Sequence, residues 1–381
     1  MKLLYLTTWD FTNEQADGVC KKIRSQISVF ENHGYEVDII LIRKGKVIYR
    51  ECGKEREIAA VGNVKKTPAY FKMYKTLKNK KYDWIYNRYG MMDTFYYRVL
   101  KRLHQNGARV LIEIPTYPYK GEKPQGILYQ LMFWWDEVYT KKLKRITDRI
   151  ITYSQDKEIF GVPTIEIMNG VDVEAIEPVQ KEGKPDNTID LLMVALMQPY
   201  HGYERLLKGL HSYYQNGGTR DIFCHFVGDG PEKHYYEEVT EKLGLRDHVR
   251  FYGKKSGIEL DQIYNKADIG ICSLGRYKNN VYWVSELKAG EYLAKGLPIV
   301  IGTETGILRL IDKETYLRVP NDDSALDIKE IIAFYDRIHH VKERKLLAAD
   351  IREMAKKFID MKVTLQPICI YMKKETEIKN G

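Results

Sequence analysis

Apolar residues in this chain fall in short continuous runs that alternate with stretches where they recur every third or fourth position. Residues 2–7 read as a buried strand, and over residues 21–32 the apolar Ile23, Ile27, Val29 and Phe30 keep helical spacing. His33-Gly34 ends that helix and residues 35–42 form the next apolar run. Strand, loop, helix and strand in that order open a parallel sheet. Residues 47–58 read as a hairpin turning at Cys52-Gly53-Lys54. A helix at 70–77 and strands at 84–86, 110–114, 149–154 and 164–167 continue the alternation. A helix at 128–143 carries Met132, Phe133, Trp134 and Trp135 and ends in Lys141-Lys142-Leu143-Lys144-Arg145.

The pattern breaks at Asn169-Gly170-Val171-Asp172 and in a polar stretch to Asn187 containing Pro178 and Pro185, which reads as a hinge. Beyond it the alternation restarts, with strands at 189–195, 222–227, 249–252 and 269–272 and a helix at 203–214. Gly228-Asp229-Gly230-Pro231 is a turn whose proline starts another helix. Residues 285–295 are helical: Leu287, Tyr292 and Leu293 share a buried side, Ser285 caps the start and Gly296 stops it. Pro298 then leads into a strand at 299–301, followed by a strand at 316–319 and helices at 324–340, 343–358 and 363–373. A chain of 381 residues is too long for one ordinary core. The prediction is an α/β protein of two doubly wound, Rossmann-like domains, residues 1–168 and 169–362.

Composition narrows the class. Apolar content of 44% and charged content of 30% are those of folded soluble domains. No apolar run approaches the roughly twenty residues of a membrane span, and the start lacks a small-residue cleavage site, so it reads as a first strand and not a signal peptide. Five cysteines without metal-ligand spacing suit a reduced cytosol and suggest no metal site. A net charge of +9 favours anionic partners: nucleotide diphosphates, anionic lipid headgroups or nucleic acid. The 29 tyrosines lack the basic and aromatic interleaving of an RNA-binding module, so nucleic acid is set aside. The 128–143 helix with its basic end fits packing on its own domain, the favoured reading, or insertion at a membrane surface.

Candidate chemistry gathers at element ends. Lys288 and Glu291, three apart, project from one face near the start of the 285–295 helix. A helix N-terminus favours phosphate through unpaired N–H groups and the macrodipole. Lys288 adds charge for a diphosphate, and Glu291 can accept two hydrogen bonds from a ribose diol; the alternative is an exposed ion pair. Arg88 leaves the carboxyl end of the 84–86 strand, where open α/β sheets place ligands. Glu113, Thr116 and Tyr117 lie at a proline-stiffened strand exit. Gly18, in a loop with Asp17 and Val19, lets backbone approach a ligand, although the spaced glycine triplet of a dinucleotide fingerprint is absent.

Residues 285–299 resemble the donor-site helix of family 4 retaining glycosyltransferases, which have the GT-B fold. That family carries two glutamates separated by seven residues; Glu291 falls on the second and Trp283 on the first, so half of the pair is missing. A bacterial capsule and cell-wall polysaccharide subgroup shows Ser-x-Leu-Lys-x-x-Glu-Tyr instead, matched by Ser285, Leu287, Lys288, Glu291 and Tyr292. Residues 112–119 and 201–206 also look like that subgroup, and residues 228–232 and 243–253 match the family in order and spacing.

The resemblance implies two domains facing each other across a cleft. Residues 169–362 would hold the nucleotide sugar, and residues 1–168 would face the acceptor, with a C-terminal helix (363–381) crossing back to them. It implies retaining, metal-independent transfer from a UDP- or GDP-linked sugar to a carbohydrate or lipid-linked saccharide in cell-surface polysaccharide synthesis. No cofactor is implied, and the setting is the cytoplasm or the inner face of the plasma membrane. The implied donor ligands are Gly18, Gly202, Arg205, Gly228, Gly253, Lys254, Ser285, Leu287, Lys288 and Glu291. Leu196 stands where the family has an arginine and His201-Gly202 where it has Lys-Gly, so His201, Lys288 and Arg205 would neutralise the leaving diphosphate. Lys288, Glu291 and His201 are the implied catalytic residues, and Arg88, Glu113, Thr116 and Tyr117 would face the acceptor. Two other readings fit: a non-catalytic partner subunit, favoured by Trp283 and by a missing family histidine near the 110–114 strand, and a sugar-nucleotide epimerase.

Overall fold

The computed structural model describes residues 1–12, 18–61, 67–119, 126–180 and 187–380, so Asp17 and Pro185 lie outside the described residues. The chain divides into two units, Met1–Ile167 with Thr364–Gly381, and Met168–Val363. Each buries its own apolar core.

In the first unit β1 (Lys2–Asp10) feeds α1 (Gly18–Asn32), and the chain returns as β2 (Glu36–Arg43), parallel to β1. Gly18 is thus the first residue of a helix and not part of a loop. β3 (Lys46–Glu51) and β4 (Lys54–Ala60) form the expected hairpin at the sheet edge. After α2 (Thr67–Leu77), β5 (Trp84–Arg88) pairs parallel with the other side of β1 and is buried along its whole length, as helices on both faces require. α3 (Thr94–Gln105) is additional to the helices expected. Asp93 caps it by accepting from the Tyr96 N–H at 2.8 Å, and Tyr96, Val99, Leu100 and Leu103 supply its buried stripe. β6 (Arg109–Ile114), α4 (Ile127–Leu143), β7 (Arg149–Thr152), β8 (Glu158–Ile159) and β9 (Val162–Glu166) follow. The sheet order is β4-β3-β2-β1-β5-β6-β7-β9-β8.

The second unit alternates strictly: β10 (Thr188–Leu196), α5 (Glu204–Gln215), β11 (Asp221–Asp229), α6 (Lys233–Lys242), β12 (Val249–Phe251), α7 (Gly257–Lys266) and β13 (Ile269–Ile271). α8 (Leu287–Lys295), β14 (Ile299–Ile301), β15 (Tyr316–Arg318), α9 (Ile328–Val341) and α10 (Arg344–Phe358) complete it. All strand pairs are parallel, in the order β12-β11-β10-β13-β14-β15. The order reverses between β10 and β13, and the carboxyl ends of strands flanking such a switch are where these sheets take ligands.

α8 ends as its glycine predicts: Gly296 adopts φ +88° and closes the last turn. Its start is a correction. Glu286, not Ser285, is the residue before the first helical turn, which leaves Ser285 one position too early to cap. Ser285 Oγ instead accepts from the Asn169 N–H at 2.8 Å, tying the Asn169-Gly170 turn to the approach of α8. After α11 (Met361–Thr364), α12 (Gln366–Asn380) joins the first unit, where Arg109 pairs with Glu375 and Trp84 Nε1 donates to Thr376 Oγ1 at 3.3 Å.

Candidate donor site at the carboxyl ends of β10 and β13

The loops leaving β10 and β13 meet backbone to backbone. Gly202 adopts φ +63°, and a Cβ there would lie 2.6 Å from the Gly275 nitrogen, so no larger residue fits without parting the loops. The Leu274 N–H donates to the His201 carbonyl at 2.8 Å across the same contact. This crossing brings His201 and Arg276 beside the first turn of α8. The Arg276 guanidinium lies 4.0 Å from the centroid of the Tyr200 ring. His201 stacks on Tyr203, with centroids 5.4 Å apart and planes 16° apart, and Lys288 Nζ donates to the Tyr203 hydroxyl at 3.1 Å.

Burial sets the charges. It pulls the Lys288 ammonium down from 10.5 to about 8, with Glu286 pulling upward and Arg276 pushing the same way as burial. Burial, then Lys288 and Arg276, drive the His201 imidazole well below its usual 6.5. His201 is therefore neutral. Its Nδ1 accepts from the Gln198 N–H at 3.0 Å, which places the ring proton on Nε2 as a donor. This corrects the expectation that His201 carries positive charge to the diphosphate. The second cation is Arg276, which sequence reasoning missed because it stands on a separate loop twelve positions before Lys288. The available signal was its place in the loop directly after the 269–272 strand. Glu286 is also new to the site: its Oε2 accepts from the Ser273 N–H at 3.0 Å and hydroxyl at 2.8 Å, while its Oε1 stays 4.0 Å from Arg276 Nε.

Arg205 is a further correction. Its buried guanidinium donates to the carbonyls of Leu274, Pro320 (2.8 Å) and Ser324 (2.6 Å) and pairs with Asp322 at 3.2 Å. A buried guanidinium must satisfy its donors, and three loop carbonyls do so, which makes it a brace and not a phosphate ligand. Leu287 and Glu291 are half-buried on α8, Glu291 one turn beyond Lys288. Gly228 and Gly253, at the ends of β11 and β12, are joined by an N–H to carbonyl bond of 2.8 Å. Lys254 beside them is exposed, 3.8 Å from Asp229.

In the first unit Glu113 and Arg88 are also reassigned. Glu113 is wholly buried and accepts from Arg88 Nη1 (2.5 Å), Tyr153 OH (2.8 Å), Lys22 Nζ (2.9 Å), Tyr86 OH (3.0 Å) and Gln26 Nε2 (3.2 Å). Burial pushes its carboxyl up, but Lys22 and Arg88 outweigh this and hold it at about 2. With its lone pairs taken and no surface exposed, Glu113 is a structural hub, and Arg88 is its buried partner. Thr116 and Tyr117 remain half-buried on the segment after β6.

Residues 176–358 match the family model described as glycosyl transferases group 1. The chain is 25% identical over 132 residues to an uncharacterized glycosyltransferase of Methanocaldococcus jannaschii, covering 35% of this chain and 32% of that protein. It is 28% identical over 147 residues to a D-inositol 3-phosphate glycosyltransferase of Corynebacterium diphtheriae, covering 37% of this chain and 33% of that protein. The match thus spans about a third of the length of either relative. Among solved structures, a sucrose-phosphate synthase from Thermosynechococcus elongatus is similar in fold at a TM-score of 0.68 and 18% identity, over 99% of this chain and 98% of that one. Anabaena HepE in complex with UDP-glucose is similar at a TM-score of 0.58 and 14% identity, over 98% of this chain and 100% of that one. The two units, each with its own parallel sheet, have the GT-B fold class.

Proposed function

We propose that the protein is a retaining glycosyltransferase that moves a sugar from a UDP- or GDP-linked donor to a saccharide or lipid-linked saccharide acceptor in cell-surface polysaccharide synthesis. The observation carrying this reading is the pairing of Lys288 and Arg276 at the start of α8, beside the switch point of the domain that matches the group 1 model. As the bond from the anomeric carbon to the diphosphate oxygen breaks, its electron pair stays on the phosphate. Two fixed cations and the helix dipole meet that charge, so the reading needs no metal. The neutral His201 supplies one more hydrogen bond from Nε2, and Glu291 accepts from the ribose diol. The acceptor oxygen bonds to the anomeric carbon on the face just vacated, and its proton passes to the departing phosphate oxygen.

The UDP-glucose and UDP complexes of the Anabaena neighbour make a UDP-sugar the first donor to test. In a thermal-shift screen the matching nucleotide raises the melting temperature, because it binds the folded state alone. Most of that rise should be lost in Lys288→Ala and in Glu291→Ala. A full rise in both variants would overturn the assignment. Product anomers read by NMR test retention.

A further inference from the structure

α4 presents its apolar side outward. Its inward stripe is Asp136, Thr140 and Leu143, all buried, and Asp136 accepts from the Tyr89 hydroxyl at 2.5 Å and the Met92 N–H at 2.6 Å. The outward stripe is Ile127, Leu131, Trp134 and Trp135, at positions i, i+4, i+7 and i+8, exposed by 78, 61, 59 and 45%. Asp136, Thr140 and Leu143, with Tyr139 packed against the core, hold the helix to its unit, while Trp134 and Trp135 stay exposed. The helix thus packs on its own unit, the favoured expectation, but Trp134 and Trp135 do not take part in that packing face.

The helix then ends in cations. Lys141, Lys144 and Arg145 are exposed, and Lys141 continues the line of Trp134 by helical spacing. A groove of about 630 Å³ opens beside them, lined by Tyr117, Tyr119 and Phe160 together with Lys141 and Lys144. Among the described residues no helix is long and apolar enough to cross a membrane.

We propose that α4 seats the protein on an anionic phospholipid bilayer, with the tryptophan stripe in the interface and Lys141 and Lys144 holding a lipid phosphate at the groove. Exposed indoles with a polar N–H suit the boundary between headgroups and acyl chains. Four cations within five residues complement anionic headgroups. A second copy would bring its own basic run to the same face and add like charge. This surface belongs to the first unit, whereas the candidate nucleotide site belongs to the second.

The test is co-sedimentation of the full chain with phosphatidylcholine vesicles, with and without phosphatidylglycerol. Binding is expected only with phosphatidylglycerol, weakening as salt shortens the screening length. Trp134→Ser with Trp135→Ser should abolish it, and Lys141→Ser with Lys144→Ser should weaken it roughly fivefold for each lysine. Both double variants should keep the wild-type melting temperature and nucleotide response. Equal binding to neutral vesicles, no binding to either, or binding untouched by the tryptophan variant would overturn the proposal. So would a dimer seen by light scattering that the tryptophan variant dissolves.

Discussion

Lys22 in the first unit and Lys288 in the second occupy comparable places, on helices that pack at the carboxyl end of a parallel sheet. Burial lowers both to about 8. Each has an arginine and a glutamate nearby, and they differ in where the carboxylate points. Glu113 lies within 2.9 Å of Lys22 and 2.5 Å of Arg88, and it is sealed in by three further donors. Glu286 turns to Ser273 and stands 4.0 Å from Arg276, while Lys288 bonds a neutral hydroxyl. The first cluster is compensated at contact distance and functions as a core. In the second, Glu286 stands farther off and Lys288 bonds a neutral hydroxyl, an arrangement that suits the diphosphate proposed above. Position on the fold is shared by both clusters, and the direction of one carboxylate separates the brace from the candidate binding site.

The largest effect should come from breaking the closed cluster. Glu113→Gln removes the charge shared by two buried cations and should cost about 3–5 kcal/mol of folding stability, measured by urea unfolding. Lys288→Ala relieves a buried charge, so it should leave apo stability within about 1 kcal/mol of wild type while nucleotide affinity falls on the order of thirtyfold, as loss of a charge-assisted hydrogen bond implies. Equal stability losses in the two variants would erase the contrast. Gly202→Ala should cost about 1–3 kcal/mol and lower nucleotide binding, because it meets Gly275 backbone at positive φ. Gly253→Ala, at φ +66° with nothing within 4 Å, should cost less, which separates backbone strain from the loop crossing.

The smallest expected effect is the pH dependence. The folded Lys288 loses its proton near 8 and the unfolded one near 10.5. Apo stability attributable to it therefore rises between those values, while nucleotide affinity falls above pH 8 toward, and no further than, the roughly thirtyfold loss of Lys288→Ala. Lys22 titrates in the same window, so the comparison is wild type against Lys288→Met, by calorimetry. A flat affinity from pH 7 to 10 would place the charge that binds nucleotide elsewhere.

Most of the fold was legible in the chain. Apolar runs and helical spacing gave both sheets, the 47–58 hairpin and the Gly296 stop, since each depends on contacts a few residues apart. α3 was legible too, through Asp93 and its buried stripe, although it was passed over. The candidate site was legible only in part. Lys288 and Glu291 share a helix face because they are three apart, and that relation needs nothing beyond local geometry. Arg276 reaches Lys288 through the Gly202–Gly275 crossing, a contact between residues more than seventy positions apart that no periodicity encodes.

Helix, strand and turn identities follow from near-neighbour sterics and side-chain alternation, so they can be read along the chain. Protonation and exposure depend on what the remaining chain packs around a group. Burial made His201 neutral, enclosed Arg205 with loop carbonyls, sealed Glu113 and left the tryptophans of α4 facing out. Solvation is set by atoms distant in sequence, and it assigned each of these side chains its role.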